Sequence, residues 1–190
     1  MAILKIARMG HPVLIARARE IEDPTVPEVR RLAEDMVATM LDAEGIGLAA
    51  PQVHAPQRLI VFRDAATREE AAGGGGRPVV LVNPEIEPLG GEEAEEALDW
   101  EGCLSIPGLR GIVPRRARVG YRGLGLDGRR IEREAEGLHA RVVQHEVDHL
   151  DGVLYPMRMP DLRLLTFESE MRRLTALLNR QQRPEGSGDE

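Results

Sequence analysis

The chain has 190 residues, a length typical of one domain with a sizeable core. Hydrophobic residues make up 42% and charged residues 30%, which excludes an intrinsically disordered protein. Its 25 basic and 32 acidic residues give a net charge of -7, which argues against nucleic acid as the main partner and predicts no sequence-specific nucleic-acid binding.

The first residues, MAILKIARMGHPVL, contain no continuous apolar segment that leads to a cleavage site. No run of about 18 apolar residues occurs anywhere, so we expect no membrane partner. Cys103 is the only cysteine, which rules out an internal disulfide and implies no oxidising compartment. These features predict a cytoplasmic protein.

The first predicted helix covers DPTVPEVRRLAEDMVATMLDAEG, residues 23–45. Asp23 or Thr25 is a candidate N-terminal cap, and Pro27 suits the first turn. Gly45 is expected to end the helix. One face carries apolar residues at helical spacing and is predicted to be core: Val29, Leu32, Ala33, Met36, Val37, Met40 and Leu41.

Short strands are predicted in the middle of the chain, where the hydrophobic period changes. They fall at residues 58–63, 78–84, 117–123 and 129–136. Four consecutive glycines, residues 73–76, lie between the first two strands. No Lys-Ser/Thr pair follows them, so they indicate a flexible loop and not a phosphate-binding loop.

Two further helices complete the predicted order. One runs from Leu138 to Leu150, with Gly152 as its left-handed C-terminal cap. The other covers residues 161–180, and residues 181–190 are predicted to be a disordered tail. Its apolar positions are Leu164, Phe167, Met171, Leu174 and Leu178. We therefore predict a single α+β domain over residues 1–180, with short-stranded antiparallel or mixed sheets packed around a central helix and a C-terminal helix.

The central helix contains the pattern HExxH in VVQHEVDHLDG, residues 142–152. His145 and His149 are four residues apart, so a helix directs both imidazoles to one side, where they can bind one metal ion. Glu146 is then placed to exchange a proton with a water molecule that the metal activates. This pattern indicates hydrolysis at an acyl carbon.

A catalytic metal usually has three protein ligands, and the third is not evident downstream. Asp151 and Asp161 are possible donors, but their spacing differs from that of common zinc proteases. Cys103, in WEGCLSIPG, is another candidate because its thiolate suits zinc or ferrous iron. The residues alone also allow Cys103 to be a nucleophile or a structural thiol.

A third motif is EGIGLAAPQ, residues 44–52. Gly45 and Gly47 let the backbone approach a ligand closely. Gln52 offers an amide that can donate to a developing oxyanion. A helix stop and a surface glutamine are the alternative interpretations.

Together, GIGLAAPQ, EGCLS and QHEVDHLDG occur in the order found in peptide deformylases, and the chain resembles that family from about residue 3 to residue 160. The resemblance implies that Cys103, His145 and His149 hold a divalent metal ion, natively Fe²⁺, with Zn²⁺, Ni²⁺ or Co²⁺ as alternatives. Glu146 would be the general acid/base. Gln52 and the backbone N–H of Leu104 would stabilise the oxyanion.

The resemblance also implies a substrate, the N-formylmethionyl end of a nascent peptide. Ile46, Gly47 and Gly102 would flank the extended peptide, and the methionine side chain would lie in a pocket lined by Leu138, Val142 and Ile46. The alternatives are a general metallopeptidase and a non-catalytic, deformylase-like metal-binding protein.

Two features near this site have open interpretations. Arg141 is expected to point to solvent or to pack its stem at the pocket edge with its head in water. Residues 110–133 hold eight arginines, which indicate either solvated strand faces or a surface for the ribosome. For the second possibility the arginines considered are Arg115, Arg116 and Arg118.

Overall fold

The computed structural model contains two antiparallel sheets and describes residues 1–64, 70, 73, 75–90 and 95–181. The strands are β1 (Gly47–Ala49), β2 (Leu59–Asp64), β3 (Arg77–Pro88), β4 (Glu96–Cys103), β5 (Ile106–Arg116), β6 (Arg118–Leu124), β7 (Arg130–Glu136) and β8 (Leu165–Phe167). The larger sheet has the order β1-β2-β3-β6-β7, and the smaller has the order β4-β5-β8. The predicted α+β class with short antiparallel strands is confirmed.

Three α-helices have both of their ends in the described residues. They are α1 (Pro27–Asp42), α2 (Gly137–Leu150) and α3 (Met171–Gln181). Residue 74 of the predicted glycine loop and residues 182–190 of the predicted tail lie outside the described residues.

Helix α1 packs its buried face against β1 and β2, but its ends differ from the prediction. The N-terminal cap is Val26, because Asp23 instead accepts hydrogen bonds from the backbone N–H and hydroxyl of Thr25, at 2.8 and 2.6 Å. At the other end, Glu44 and not Gly45 has the left-handed backbone, with φ of 52°. Leu41, expected in the core, is 38% exposed.

Helix α2 is the central element and contacts strands of both sheets. Its apolar residues Ala140, Val143 and Leu150 are fully buried in a cluster with β2, β3 and β6. Gly152 follows the helix with φ of 74°, and a Cβ there would meet the backbone of Ile15. The predicted C-terminal cap is therefore confirmed.

The third predicted helix is wrong over its first half. Leu164 ends a short 3₁₀ helix, Leu162–Leu164, and Phe167 ends strand β8. Residues 165–167 pair with residues 109–111 at the free edge of β5, so tertiary strand pairing overrides the local helical spacing. The regular helix begins only at Met171.

Strands β4 and β5 were missed because they do not show a clear alternation of apolar and polar residues. Two of their buried positions, Glu101 and Arg115, are charged and satisfy each other. Strand β4 ends at Cys103, and its register with β5 shifts between Glu101 and Cys103. This irregular end of β4 reaches the residues of α2 that carry the site.

Candidate active site

Cys103, His145 and His149 come together at the junction of β4 and α2. One ligand atom from each lies within 4.8 Å of the others, and this is the metal-type cluster found among the described residues. The Cys103 Sγ lies 3.2 Å from His149 Nε2, and the two histidine ring centroids are 5.0 Å apart. Helix α2 thus places the two histidines, and the end of β4 places Cys103, around one point.

Glu101 holds the first histidine in a fixed orientation. Its carboxylate Oε2 lies 2.8 Å from His145 Nδ1, which leaves Nε2 as the nitrogen available to an ion. Burial alone would raise the pKa of Glu101, but the hydrogen bonds from His145 and Arg115 outweigh it and hold that pKa well below its usual range. Glu101 is therefore a carboxylate that orients a candidate ligand.

A buried ion network supports Glu101 from behind. Arg115 donates to Glu101 at 2.8 and 3.1 Å and to Asp148 at 2.6 Å. Arg158 completes the network through Asp148, at 2.7 Å. The hypothesis that Arg115 belongs to an exposed surface is wrong, since its side chain is 5% exposed.

Arg141 is a second correction. The prediction placed its guanidinium in water, yet the residue is buried and donates to Glu101 Oε1 at 2.8 Å. The same guanidinium reaches the carbonyl oxygens of Val113 and Ala97. The head is buried because it finds three acceptors in the protein, which offset the cost of leaving water.

Glu146 lies beside the cluster with one oxygen, Oε2, that has no hydrogen-bond partner among the described residues. Burial raises its pKa to about 7, although the neighbouring histidines lower it. A Cβ on Gly47 would overlap with the Glu146 carboxylate. Glycine at that position therefore gives the carboxylate its space. The oxygen available for proton exchange is the unpaired Oε2.

Gln52 is held by both ends of its amide. Its Oε1 accepts from the Ala49 N–H at 2.8 Å, and its Nε2 lies 3.2 Å from Ser105 Oγ and 3.4 Å from Cys103 Sγ. Since Oε1 takes a backbone donor, Nε2 must face the cluster. The side chain is 2% exposed, so this orientation is a fixed feature of the site.

A cavity of about 410 Å³ opens beside the cluster. Its lining includes ten of the eleven residues predicted for the site: Ile46, Gly47, Gln52, Gly102, Cys103, Leu104, Leu138, Val142, His145 and Glu146. The eleventh, His149, is 1% exposed and lies behind the others. Strands β1 and β4 both contribute to the lining, and each is the edge strand of its sheet in the described topology.

Comparison with known proteins identifies the family. The family model described as polypeptide deformylase matches residues 3–164. The chain belongs to the polypeptide deformylase family. It is 49% identical over 157 residues to peptide deformylase 2 of Bordetella bronchiseptica, a match that covers 83% of this chain and 88% of that protein.

Solved deformylases have the same fold. The class I type b peptide deformylase from Acinetobacter baumannii, crystallised with Met-Ala-Ser bound, is 38% identical with a TM-score of 0.74. That match covers 83% of this chain and 99% of the other. The peptide deformylase from Thermotoga maritima is 34% identical with a TM-score of 0.73, over 85% of this chain and 100% of that one.

Members of the polypeptide deformylase family are metal-dependent enzymes, and the Cys/His/His cluster here fits a divalent metal ion. Burial would raise the pKa of Cys103, but His149 and His145 lower it well below its ordinary value, which favours the thiolate that binds metals. Cys103, His145 and His149 would supply three ligands, and a catalytic metal with three protein ligands would keep a position for water or substrate. No helix among the described residues is long and apolar enough to span a membrane.

The predictions missed four charged residues that line this cavity: Glu44, Glu101, Arg110 and Glu168. Glu101 could have been suspected as a carboxylate two residues before a candidate ligand. Arg110 and Glu168 pair at the cavity mouth, with Arg110 Nε 2.5 Å from Glu168 Oε1. Glu168 follows β8 and lies beyond the residues that match the family model, so no motif indicated it.

Proposed function

We propose that this member of the deformylase family removes the formyl group from the N-terminal formylmethionine of nascent polypeptides and releases formate. The observation that carries the proposal is the convergence on one cavity of the Cys103, His145 and His149 cluster with the buried Glu146 carboxylate. A metal with a proton acceptor beside it is the arrangement that hydrolytic enzymes use on acyl carbons.

Each residue has a role that follows from its chemistry. A divalent metal, when bound, lowers the pKa of a water molecule and polarises the formyl oxygen. Glu146 takes a proton as water adds to the formyl carbon and delivers it to the amine as the C–N bond breaks. Gln52 Nε2 and the Leu104 N–H donate to the oxyanion. The products are formate and a peptide with a free amino group.

The substrate path proposed for the peptide runs between β1 and β4. Gly47 on β1, Ile46 just before it, and Gly102 on β4 line the cavity, and the backbone groups of these edge strands can pair with an extended chain. Leu138 and Val142 supply an apolar wall for the methionine side chain. The Met-Ala-Ser bound to the Acinetobacter baumannii relative supports a peptide of this kind.

We propose Fe²⁺ as the native ion, with Zn²⁺, Ni²⁺ or Co²⁺ able to replace it. Cys103 as the third ligand is supported by its distance of 3.2 Å from His149. A thiolate with two imidazoles suits all four ions, so availability in the cell would decide among them.

The test is formate release from formyl-Met-Ala-Ser by protein purified without oxygen, with metal content measured on the same sample. Glu146→Gln should keep the metal and lose activity by at least about 100-fold, within the usual range for a general acid/base. Glu132→Gln, an exposed residue of β7, is the matched control and should be active. Cys103→Ala should lose metal and activity together.

Two results would reject the proposal. One is a metal-loaded protein that releases no formate. The other is release of amino acids from unformylated peptides at a similar rate, which would indicate a general metallopeptidase.

We also propose that the protein is cytoplasmic and meets its substrates at the ribosome through exposed arginines. Arg118, Arg129 and Arg130 suit this role, with side chains 62%, 87% and 61% exposed. Reversal of these three charges to Glu should reduce co-sedimentation with ribosomes that carry nascent chains. Unchanged co-sedimentation would reject the ribosome contact and leave the enzymatic proposal untouched.

A further inference from the structure

The Arg141 guanidinium donates hydrogen bonds to three acceptors on β4 and β5. A side chain that only faced solvent or lined a pocket would not make these bonds. Arg141 Nη1 donates to Glu101 Oε1 at 2.8 Å and to the Val113 carbonyl at 2.9 Å. Its Nη2 donates to the Ala97 carbonyl at 2.6 Å. One guanidinium on α2 thus bonds to β4 at two places and to β5 at one.

Glu101 receives four donors, and Arg141 supplies one of them. Oε1 accepts from Arg115 and Arg141, while Oε2 accepts from Arg115 and His145. Without Arg141, only the planar fork of Arg115 would hold the carboxylate in place from behind. Any rotation of the carboxylate would then move the hydrogen bond that orients His145.

Arg141 also spans the two elements that carry the candidate ligands. It precedes His145 by one helical turn on α2, and it bonds to Ala97 on the strand that ends at Cys103. Strand β4 pairs with β5 alone in the described sheet, and their register shifts just before Cys103. Arg141 is therefore a side-chain anchor between β4 and α2, and its contact with Glu101 is the one that lies close to Cys103 and His145.

We infer that Arg141 is a positioning residue of the metal site. Through Glu101, which lies two residues before Cys103 on β4, it sets the orientation of His145 and holds the ligand-bearing end of β4 against α2. The inference rests on the metal-dependent function proposed above. It concerns affinity and geometry of the ion, so it is tested without an activity assay.

The test is Co²⁺ binding, measured by competition with a chelator and by the absorption of the bound ion. Arg141→Met keeps much of the side-chain volume and removes the three hydrogen bonds; it should bind Co²⁺ about 10- to 100-fold more weakly, as losses of supporting partners do. Its thiolate-to-cobalt band should shift or weaken. Arg130→Met, on the exposed side of β7, is the control and should bind like the wild type.

A second variant keeps the test decisive if Arg141→Met does not fold. Arg141→Lys retains the charge but cannot reach three acceptors with one ammonium group, so we expect an intermediate affinity and an altered spectrum. A folded variant of either kind with wild-type affinity and spectrum would overturn the inference. A wild-type protein that binds no Co²⁺ would instead count against the proposed function.

A double-mutant cycle separates positioning from general support. If Arg141 acts through Glu101, then Arg141→Met should cost much less affinity in a Glu101→Gln background than in the wild type. An equal loss in both backgrounds would show that Arg141 acts independently of Glu101, which contradicts the proposed route.

Discussion

The backbone of Gly47 lies directly against the Glu146 carboxylate. A Cβ at this position would overlap with that carboxylate, while the backbone itself is extended and open to any residue. The conflict is therefore with the side chain alone. A side chain at position 47 would therefore displace the Glu146 carboxylate, which is proposed to transfer the proton.

Gly47→Ala should reduce kcat/KM about 100-fold, because displacements of about 1 Å at a reacting group cost that much. The measurement is formate release at matched metal content. Gly120→Ala is the control, since its added Cβ would meet its nearest neighbour at 3.6 Å, an ordinary contact. Wild-type activity in Gly47→Ala would mean that Glu146 does not need its present position.

Gln52 is the second residue whose orientation the structure defines. Gln52→Ala should keep the metal and reduce kcat about 100- to 1,000-fold, which is the usual cost of removing one oxyanion donor. Gln57→Ala, outside the cavity, should be unaffected. Near-normal kcat in metal-loaded Gln52→Ala would remove this side chain from the mechanism.

At the level of elements, strands β4 and β5 are joined to α2 by buried charges. Arg115 lies between Glu101 and Asp148, and all three side chains are at most 11% exposed. The pair of Arg110 and Glu168 at the cavity mouth is different, with side chains 36% and 49% exposed. We therefore expect loss of the buried Arg115 contacts to destabilise the protein more than loss of the exposed pair of Arg110 and Glu168.

Arg115→Met removes a buried partner from each of two carboxylates and should lower the free energy of unfolding by about 3 to 5 kcal/mol. Glu168→Gln breaks an exposed pair and should cost about 0 to 1 kcal/mol. Urea unfolding of both variants with excess metal tests this contrast. Equal costs would show that the buried network contributes no more than a surface ion pair.

At the scale of the whole molecule, the metal site joins the end of the small sheet to the central helix. An ion that binds only the folded chain stabilises it by about 2.7 kcal/mol at a concentration 100 times Kd. A domain of this size gains about 2 to 4 °C in Tm per kcal/mol. Metal removal by a chelator should therefore lower Tm by about 5 to 11 °C.

The control for this effect is Cys103→Ala, whose Tm should not respond to added metal. Calorimetry or circular dichroism measures both proteins with and without the ion. A Tm of the wild type that is independent of metal would mean that the three candidate ligands do not bind the ion tightly in the folded state.

The sequence alone determined the α+β class, the central helix with its glycine cap, and the candidate site residues. Helical spacing is local, so His145 and His149 could be assigned to one face without a structure. The order of three short motifs then indicated the family. Whether these candidates act as proposed is a question for the experiments above.

Only the tertiary structure decided what surrounds those candidates. Arg141 and Arg115 are buried because acceptors distant along the chain lie against them, a fact that no local pattern of polarity encodes. Residues 165–167 form a strand because β5 offers them a free edge, although their spacing suits a helix. Contacts between distant segments set these features, since burial of a charge or pairing of a strand depends on the partner that the fold supplies.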